Sequence, residues 1–473
     1  MLAKRLAFGT DGWRAVIADQ FTVENVRIVA QAISLYTIEK GMTEQGIIVG
    51  HDTRFLGRRF AEEVVRVLAA NGIRADLVNE ATPTPVVAFG VKHFGTSGAI
   101  MITASHNPPE YNGLKYIPYY AGPATPEITN RLEELIRQVQ EQGSVNAIEL
   151  EQAVADQRMQ YIFLRPHYEA HIRRMIHFER LRNADLHIVV DAMHGAGIGY
   201  VSSILNEAGV KTTTLRDYED PLFGGSLPEP AEKHLTLLSK EVLKQQANLG
   251  LANDGDADRF GAVDENGQYI PANQVLLLLA RHLIKNRGQR GRIVRTVATT
   301  HLLDRIAERY GLETLETPVG FKYIGEEMRK GDVLLGGEES GGASIIGHIP
   351  EKDGILINLL LAEMIAWEGK PITDILDETY REYGELHTTR IDIRHREKER
   401  WLQDFLSTTY RKAGSFPVVS IERKDGLKLH LQGGHWLLIR PSGTEPLLRI
   451  YCEAESAQAL EQLKEVIDDW FCE

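Results

Sequence analysis

Cysteine is nearly absent from this chain of 473 residues, which contains only Cys452 and Cys472. Two cysteines provide no disulfide framework, so we expect a reducing compartment, the cytoplasm. No apolar run approaches the ~20 residues that a membrane helix needs. The best candidate, 355–367, is short and is interrupted by Asn358 and Glu363. Since the first residues also lack the apolar core of a signal peptide, we expect no membrane partner.

Positive charge is also in short supply. The chain has 53 Lys and Arg residues against 66 Asp and Glu residues, which gives a formal net charge of −13 at pH 7. Because nucleic-acid backbones recruit basic surfaces, this balance argues against a nucleic-acid partner. A net-negative protein can still bind a small phosphate where Arg, Lys and helix N-termini are concentrated locally.

The length of the chain excludes a single hydrophobic core, because chains divide into domains beyond ~250–300 residues. Apolar β-rich runs alternate with amphipathic helical runs almost throughout, which is typical of α/β proteins. Short continuous apolar strands, such as GIIVGHD (46–52) and SGAIMITA (97–104), suit a sheet that is covered on both faces. The pattern begins again at LHIVVDAMHGAG (186–197) and at GRIVRTV (291–297).

The sequence therefore predicts an α/β fold: three similar α/β domains with mixed sheets, plus a smaller C-terminal α+β domain. Each predicted domain contains one polar, glycine-containing loop directly after an apolar strand. Ligands of open α/β sheets bind at the carboxyl ends of strands, so one loop per domain indicates a single central cleft. The predicted boundaries are 1–155, 156–262, 263–383 and 384–473.

The first loop, ITASHNPPEYNGLK (102–115), places Ser105 at its tip. A serine in this position is an accessible nucleophile, and the two following prolines fix the backbone. Lys115 could exchange protons or stabilise negative charge nearby. The alternative is a serine that only caps a helix or a turn.

The second loop, NDGDADRF (253–260), carries Asp254, Asp256 and Asp258 at alternate positions. In an extended loop all three carboxylates can point the same way, and their repulsion then calls for a cation. All-oxygen ligation suggests Mg²⁺. The loop departs from the EF-hand pattern, because Arg259 stands where that pattern requires a glycine. A solvated acidic turn is the alternative.

The third loop, LLGGEESGG (334–342), combines glycines that let a ligand approach the backbone with Glu338 and Ser340, which offer acceptors and a donor for hydroxyl groups. The fourth loop, IRPSGTEPLLRI (439–450), offers backbone and side-chain donors that suit a phosphate dianion. Its candidate residues are Arg440, Ser442, Gly443, Thr444 and Arg449. Taken alone, the third loop is equally compatible with a plain turn, and a surface turn between strands is the alternative for the fourth.

Taken together, these loops make the chain similar to the α-D-phosphohexomutase family, which includes phosphoglucomutase, phosphomannomutase and the phosphoglucosamine mutases. The resemblance spans essentially the whole chain. It rests on the motifs FGTDGWR (8–14), TASHNP (103–108), DGDADR (254–259), TPVGFK (317–322), GEESGG (337–342), EKDG (351–354) and RPSGTEP (440–446).

The resemblance implies that Ser105 is a phosphoserine and that its phosphate, with the three aspartates, binds one Mg²⁺ per chain. It places Arg14, His106, Lys115 and Arg259 around the reacting phosphoryl group. Glu338 and Ser340 would hold sugar hydroxyls, and Gly320 and Lys322 would also contact the substrate. The loop from Arg440 to Thr444, with Arg449, would bind the phosphate that does not react. The implied partner is a phosphosugar, and the implied activator is a hexose 1,6-bisphosphate.

Two departures from the family pattern bear on the sugar. Gly342 replaces the His of the GEMSGH or GEQSGH loops of phosphomannomutase-type and amino-sugar members, and Phe321 stands where many dual-specificity enzymes have His. GEESGG is more similar to the glucose-selective branch, in which Lys352 would approach the reacting hydroxyl. We therefore predict a phosphoglucomutase. A phosphomannomutase, a dual enzyme and a hexose bisphosphate synthase remain alternatives, and both monomer and homodimer remain open.

Other classes are less compatible with these motifs. A P-loop kinase needs GxxxxGK[ST], which the chain lacks. A Mg²⁺ phosphatase would more typically use an Asp nucleophile after its first strand. A phosphosugar-binding regulator without catalysis would be expected to lose Ser105 or one of the aspartates.

Overall fold

Four β-sheets follow one another along the chain, each built mainly from one stretch of it. The computed structural model describes residues 6–8, 12–394, 398–442 and 447–471. The first three sheets are mixed and carry helices, and the fourth is entirely antiparallel. The predicted fold class, three α/β units and a C-terminal α+β unit, is confirmed.

The first sheet has the strand order β1-β5-β4-β2-β3-β6. Its elements are β1 (Trp13–Val16), α1 (Val23–Glu39), β2 (Ile47–His51), α2 (Gly57–Ala70), β3 (Ala75–Val78), α3 (Thr84–Phe94), β4 (Gly98–Ile102), β5 (Tyr111–Pro118), α4 (Pro126–Gln142), α5 (Leu150–Ala155) and β6 (Met159–Ile162). The central strands β2, β3 and β4 are parallel and fully buried, as continuous apolar strands require.

The second sheet has the order β11-β10-β9-β7-β8. Its elements are α6 (Arg165–Met175), α7 (Phe178–Arg182), β7 (His187–Asp191), α8 (Tyr200–Glu207), β8 (Lys211–Leu215), α9 (Thr236–Gln245), β9 (Leu249–Asn253), β10 (Phe260–Val263) and β11 (Tyr269–Ile270). Strands β6 and β11 pair within the first and second sheets, a few residues past the predicted ends of those domains at 155 and 262. We therefore propose domain ends just after Ile162 and just after Ile270.

The third sheet has the order β13-β12-β14-β15. Its elements are α10 (Ala272–Arg281), a π-helical turn (His282–Asn286), β12 (Arg292–Thr296), α11 (Leu302–Arg309), β13 (Thr314–Thr317), α12 (Phe321–Lys330), β14 (Val333–Gly337), β15 (Ala343–Ile345), α13 (Gly354–Glu368) and α14 (Ile372–Tyr383). The fourth sheet has the order β16-β21-β20-β19-β18-β17. Its elements are β16 (His387–Arg394), α15 (Lys398–Ser407), β17 (Lys412–Ala413), β18 (Phe416–Glu422), β19 (Leu427–Leu431), β20 (Trp436–Pro441), β21 (Leu447–Ala454) and α16 (Ala457–Phe471).

The first three sheets repeat one arrangement that no exact sequence repeat reveals. In each, a central parallel strand lies beside the strand that leads into the candidate loop, and that strand pairs with an antiparallel neighbour. The loop-bearing strands are β4, β9 and β14. The candidate loops therefore occupy the same topological position, at the turn from a parallel strand into its antiparallel neighbour.

The apolar stretch 355–367 forms most of α13, which is buried from Gly354 to Ile365 and packs against β9, β10 and α10. The two polar residues that interrupt this stretch form hydrogen bonds within the core. Asn358 Nδ2 donates to the carbonyl of Ala252 (2.9 Å), and Glu363 accepts from His282 and Arg287. Among the residues that the structure describes, no helix combines the length and apolar character needed to span a bilayer.

Candidate functional site

Ser105 lies just beyond the end of β4 and is only 1% exposed. Its backbone is in the left-handed region, with φ at +52°, which is uncommon for a residue with a side chain. Its hydroxyl donates to Asp254 Oδ2 (2.8 Å) and lies 3.2 Å from His106 Nδ1. The predicted nucleophile and the predicted metal loop are thus in direct contact.

The backbones of the two loops also meet. A Cβ atom at Gly255 would lie 2.5 Å from the carbonyl oxygen of Ser105, closer than any real contact of that kind. Only glycine allows the second loop to pass this close to the serine.

The three aspartates converge by a turn. Asp254, Asp256 and Asp258 are fully buried, and one oxygen of each lies within 4.8 Å of the others. We expected an extended loop, but Ala257 has φ at +55° and its N–H donates to the carbonyl of Asp254 (3.0 Å). The predicted convergence is therefore confirmed, while the predicted backbone conformation is wrong.

Cations from distant parts of the chain surround this cluster. Lys115 Nζ lies 2.9 Å from Asp256 Oδ2 and 3.0 Å from Asp258 Oδ2. Lys352 Nζ lies 3.1 Å from Asp258 Oδ2. Thr84, at the start of α3, donates its hydroxyl to Asp256 Oδ2 (2.6 Å).

Burial raises the pKa of Asp254 well above its usual range, and the neighbouring carboxylates raise it further. Burial alone would also raise the pKa of Asp256, but Lys115 and the hydrogen bond from Thr84 lower it. Burial and the two neighbouring carboxylates therefore oppose ionisation of Asp254, whereas Lys115 favours the charged form of Asp256.

The aspartate cluster fits a hard divalent cation. Within the described residues, Asp256 Oδ1 and Asp258 Oδ1 are buried and have no hydrogen-bond partner. Buried carboxylate oxygens without partners are costly, and a magnesium ion takes oxygen ligands of this kind. The hydroxyl of Ser105 is hydrogen-bonded to the third carboxylate, so a phosphate on Ser105 would extend the same set of oxygens.

Three further predicted residues lie at the serine loop. Arg14 Nη1 donates to Asn107 Oδ1 (2.8 Å), two residues after Ser105. The backbone N–H of Arg259 donates to Asp254 Oδ1 (3.0 Å), the carboxylate whose other oxygen accepts from Ser105. Burial, followed by the charges of Arg259 and Arg14, lowers the pKa of His106 well below its usual range, so its ring is neutral at neutral pH.

The third loop joins this cluster through Arg259, which forms an isolated antiparallel bridge with Gly342. Glu338 Oε1 accepts from the N–H of Gly320 (2.9 Å), so the TPVG and GEESGG motifs also meet. Burial, followed by the charge of Glu339, raises the pKa of Glu338 to about 7. Glu338 can therefore be protonated near neutral pH, which would let it donate as well as accept. Ser340 is partly exposed in the turn between β14 and β15.

The fourth loop is connected to the TPVG motif through Asp425, which sequence reasoning missed. Asp425 Oδ2 accepts from Arg440 Nε (3.2 Å) and from the N–H of Val319 (2.9 Å). Arg449 faces Arg440 across the β20–β21 pair, and Ser442 is buried at the end of β20.

Gly443 and Thr444 lie outside the described residues. Lys322 lies in the first turn of α12, with Nζ 5.1 Å from the ring centroid of Tyr323.

Sequence reasoning also missed Thr84 and Arg54, which contact the second and first loops respectively. Neither stands in a motif that our interpretation used. Arg54 lies in the loop just past the strand 47–51, in GHDTR, and this position near a strand end is the signal that would have identified it.

Four family models match the chain in sequence order. They are described as phosphoglucomutase/phosphomannomutase alpha/beta/alpha domain I (residues 5–143), domain II (166–267), domain III (271–383) and C-terminal domain (396–469). Together they cover most of the chain.

Similar curated proteins differ in the sugar that their names specify. A phosphoglucomutase/phosphomannomutase of Thermococcus kodakarensis is 30% identical, over 97% of both chains. A phosphoglucomutase of Komagataeibacter xylinus is 28% identical, over 96% of this chain and 88% of its own. A phosphoglucosamine mutase of Caldicellulosiruptor bescii is 29% identical, over 97% of both chains.

Solved structures share the whole fold. A Thermus thermophilus protein assigned as a phosphomannomutase superposes with a TM-score of 0.86 at 33% identity, covering 98% of this chain and 99% of its own. The Paramecium parafusin phosphoglucomutase, in an open form, superposes with a TM-score of 0.85 at 20% identity, covering 100% and 96%. At that identity the second match supports the fold alone.

Proposed function

Because this chain belongs to the phosphoglucomutase/phosphomannomutase family, and is therefore a phosphohexomutase, we propose that it interconverts glucose 1-phosphate and glucose 6-phosphate. The observation that carries the proposal is the contact between Ser105 Oγ and Asp254 Oδ2, within a cluster that Lys115 and Lys352 also reach. This arrangement joins a buried nucleophile, a cation site and two ammonium groups at one point.

In the proposed first half reaction, phosphorylated Ser105 transfers its phosphoryl group to the free hydroxyl of the sugar phosphate. The bond from phosphorus to Ser105 Oγ breaks, a bond from phosphorus to the sugar oxygen forms, and the hydroxyl proton ends on Ser105 Oγ. The product is glucose 1,6-bisphosphate, which then turns around in the cleft. In the second half reaction the bond from the other phosphorus to its sugar oxygen breaks, a bond from that phosphorus to Ser105 Oγ forms, and the serine proton passes to the freed sugar oxygen.

The chain's own residues position and neutralise the phosphoryl group in this scheme. Lys115 and Lys352 supply positive charge beside the aspartates. Arg14 contacts the serine loop, and the charge of Arg259 acts on His106 in that loop. Phosphoryl transfer depends mainly on such positioning and charge neutralisation. Magnesium, held by the three aspartates and the Ser105 phosphate, would supply further neutralisation of the phosphate oxygens when bound.

The remaining proposed residues bind the two ends of the sugar. Glu338 and Ser340, with Gly320 and Lys322, would contact the hydroxyl groups. The remote phosphate would bind at Arg440, Ser442, Gly443, Thr444 and Arg449. We further propose a cytoplasmic location, which the scarcity of cysteine and the burial of Cys452 support.

The preference for glucose rests on Gly342, Lys352 and Phe321. Lys352 Nζ lies 5.8 Å from the ring centroid of Phe321 and contacts Asp258. A Cβ atom at Gly342 would lie 2.5 Å from Cδ of Lys352. A larger residue at 342 is therefore incompatible with the present path of this lysine. The dual-specificity relative favours a second candidate, a mutase that accepts both glucose and mannose.

A coupled assay tests the proposed function. The assay compares glucose 1-phosphate, mannose 1-phosphate and glucosamine 1-phosphate, each with Mg²⁺ and a trace of the corresponding bisphosphate. A kcat/KM at least about tenfold higher for glucose supports the proposal. Equal kcat/KM values for glucose 1-phosphate and mannose 1-phosphate would make this a dual-specificity mutase. Release of the bisphosphate as the main product would make it a hexose bisphosphate synthase. No mutase activity with any of the three would contradict the proposal.

Gly342→Ala is expected to reduce kcat with glucose 1-phosphate by about tenfold, because the new methyl group displaces the Lys352 stem. Steady-state kinetics measures the effect, and Lys352→Met provides the reference. The double variant with Gly342→Ala and Lys352→Met should have the same kcat as Lys352→Met alone, because the alanine acts only by displacing Lys352. Additive losses would show that residue 342 acts by another route.

A further inference from the structure

Arg54 is a charged side chain buried beneath the serine loop. It lies in the loop that follows β2, next to the loop that follows β4, and its side chain is 0% exposed. Asp52, also 0% exposed, is its ion-pair partner, with Nε and Oδ2 3.4 Å apart. A buried charge is costly unless nearly all of its donors are satisfied, so its contacts indicate what it stabilises.

The Arg54 guanidinium donates to four backbone carbonyls of a single loop. Nη2 donates to Ser105 O (2.7 Å) and Asn107 O (2.6 Å). Nη1 donates to Pro108 O (2.8 Å) and Tyr111 O (3.0 Å). No other side chain type presents so many donors in one rigid plane. The group therefore fixes the path of the backbone from the nucleophile to the start of β5.

A second contact holds Ser105 from its N–H side. The N–H of Ser105 donates to Thr103 Oγ1 (2.9 Å), and that hydroxyl donates to Asp52 Oδ2 (2.6 Å). Asp52 Oδ1 in turn accepts from the N–H of Arg54 (2.9 Å). We call the connected set of Asp52, Arg54 and Thr103 the serine bracket. Its members form hydrogen bonds with both the N–H and the carbonyl of Ser105.

We propose that the serine bracket is a positioning device for the phosphoryl-transfer nucleophile, with Arg54 as its principal member. This proposal rests on the proposed mutase function. The bracket holds Ser105 in its left-handed backbone conformation, from which the hydroxyl points to Asp254. The serine gains and loses a dianionic phosphate in every cycle, and the bracket keeps Oγ in one place through both states. It acts on the backbone alone, so it does not compete with the substrate for the phosphate.

Arg54→Lys tests the proposal, because lysine keeps the charge but cannot donate to four carbonyls at once. We expect kcat to fall by about 100-fold, as a displacement of about 1 Å at a reacting atom can produce. KM for the sugar phosphate should stay within about threefold, since no bracket residue is proposed to bind the sugar. Activities are normalised to the folded fraction measured by circular dichroism.

Thr103→Val is a second, nearly isosteric variant that removes the contact on the N–H side. It is expected to lower kcat by about tenfold, again with KM nearly unchanged. Because it introduces no charge change, it stays informative if Arg54→Lys folds poorly. Unchanged kcat in either folded variant would overturn the proposal.

Arg281→Lys is the matched control. Arg281 has a side chain that is 2% exposed and is paired with Glu368 and Glu378, with no part in the proposed site. The control should lose thermal stability without losing kcat per folded molecule. If the Arg54 variant loses activity only in proportion to unfolding, as the control does, its role is purely structural and the proposal fails. Ser105→Ala is assayed alongside: retained turnover there would refute the proposed function itself, independently of Arg54.

Discussion

Replacing Ser105 by alanine is expected to lower turnover of the preferred sugar phosphate by about 10⁴-fold or more. The variant loses the only proposed phosphate carrier, and no other hydroxyl is proposed to take its position. The buried hydroxyl also donates to Asp254, so its removal leaves that carboxylate with one contact fewer. The coupled assay measures the loss, and mass spectrometry after incubation with glucose 1,6-bisphosphate measures phosphate transfer to the protein.

Ser34→Ala is a matched control for this variant. Ser34 is a fully buried serine of α1 whose hydroxyl donates to the carbonyl of Ala30 (2.8 Å). Its loss removes one hydrogen bond, worth about 1 kcal/mol of stability, and should leave turnover unchanged. Wild-type phosphate labelling of the Ser105→Ala protein would mean that another residue carries the phosphoryl group.

Asp256→Asn is expected to lower kcat by about 10³-fold and to raise the Mg²⁺ concentration for half-maximal activity by about tenfold or more. Asparagine has the same shape, but it removes one negative charge from the cluster. It also loses an acceptor, because Asp256 Oδ2 receives hydrogen bonds from both Lys115 and Thr84. Isothermal titration with Mg²⁺ alone measures the change in affinity without reference to activity.

Asp264→Asn is the control for the aspartate variant. Asp264 is a buried aspartate of the same domain, whose Oδ1 accepts from the N–H groups of Asn266 and Gln268 in the turn before β11. Its replacement should affect folding stability and leave Mg²⁺ affinity unchanged. Equal Mg²⁺ affinity in the wild type and in Asp256→Asn would exclude Asp256 as a ligand.

Much of the fold follows from local pattern. Alternation of apolar strands and amphipathic helices predicted three α/β units, and each polar loop after a strand marked a candidate position for the site. The division between domains was less predictable. Strands β6 and β11 belong to the sheets of the preceding units. The strand with which a segment pairs decides the sheet to which it belongs, and that pairing leaves no signal in the local sequence.

The candidate site was likewise predictable only in part from the sequence. Ser105, the three aspartates and the glycine-rich loops stand in motifs whose residue types indicate their chemistry. Lys352 lies 94 positions from Asp258 along the chain, yet its ammonium group is 3.1 Å from that carboxylate. The packing of α13 against the second sheet brings them together, and that packing depends on many side chains at once.

The sequence by itself determined the fold class, the order of the four loops and the chemical type of each. Only the tertiary structure decided how those loops meet: the turn that brings the aspartates together, the lysine that passes over Gly342, and the guanidinium of Arg54 beneath Ser105. The reason is physical. Residue type and strand ends are local properties of the chain, whereas the satisfaction of a buried charge or carbonyl depends on groups that folding brings from elsewhere.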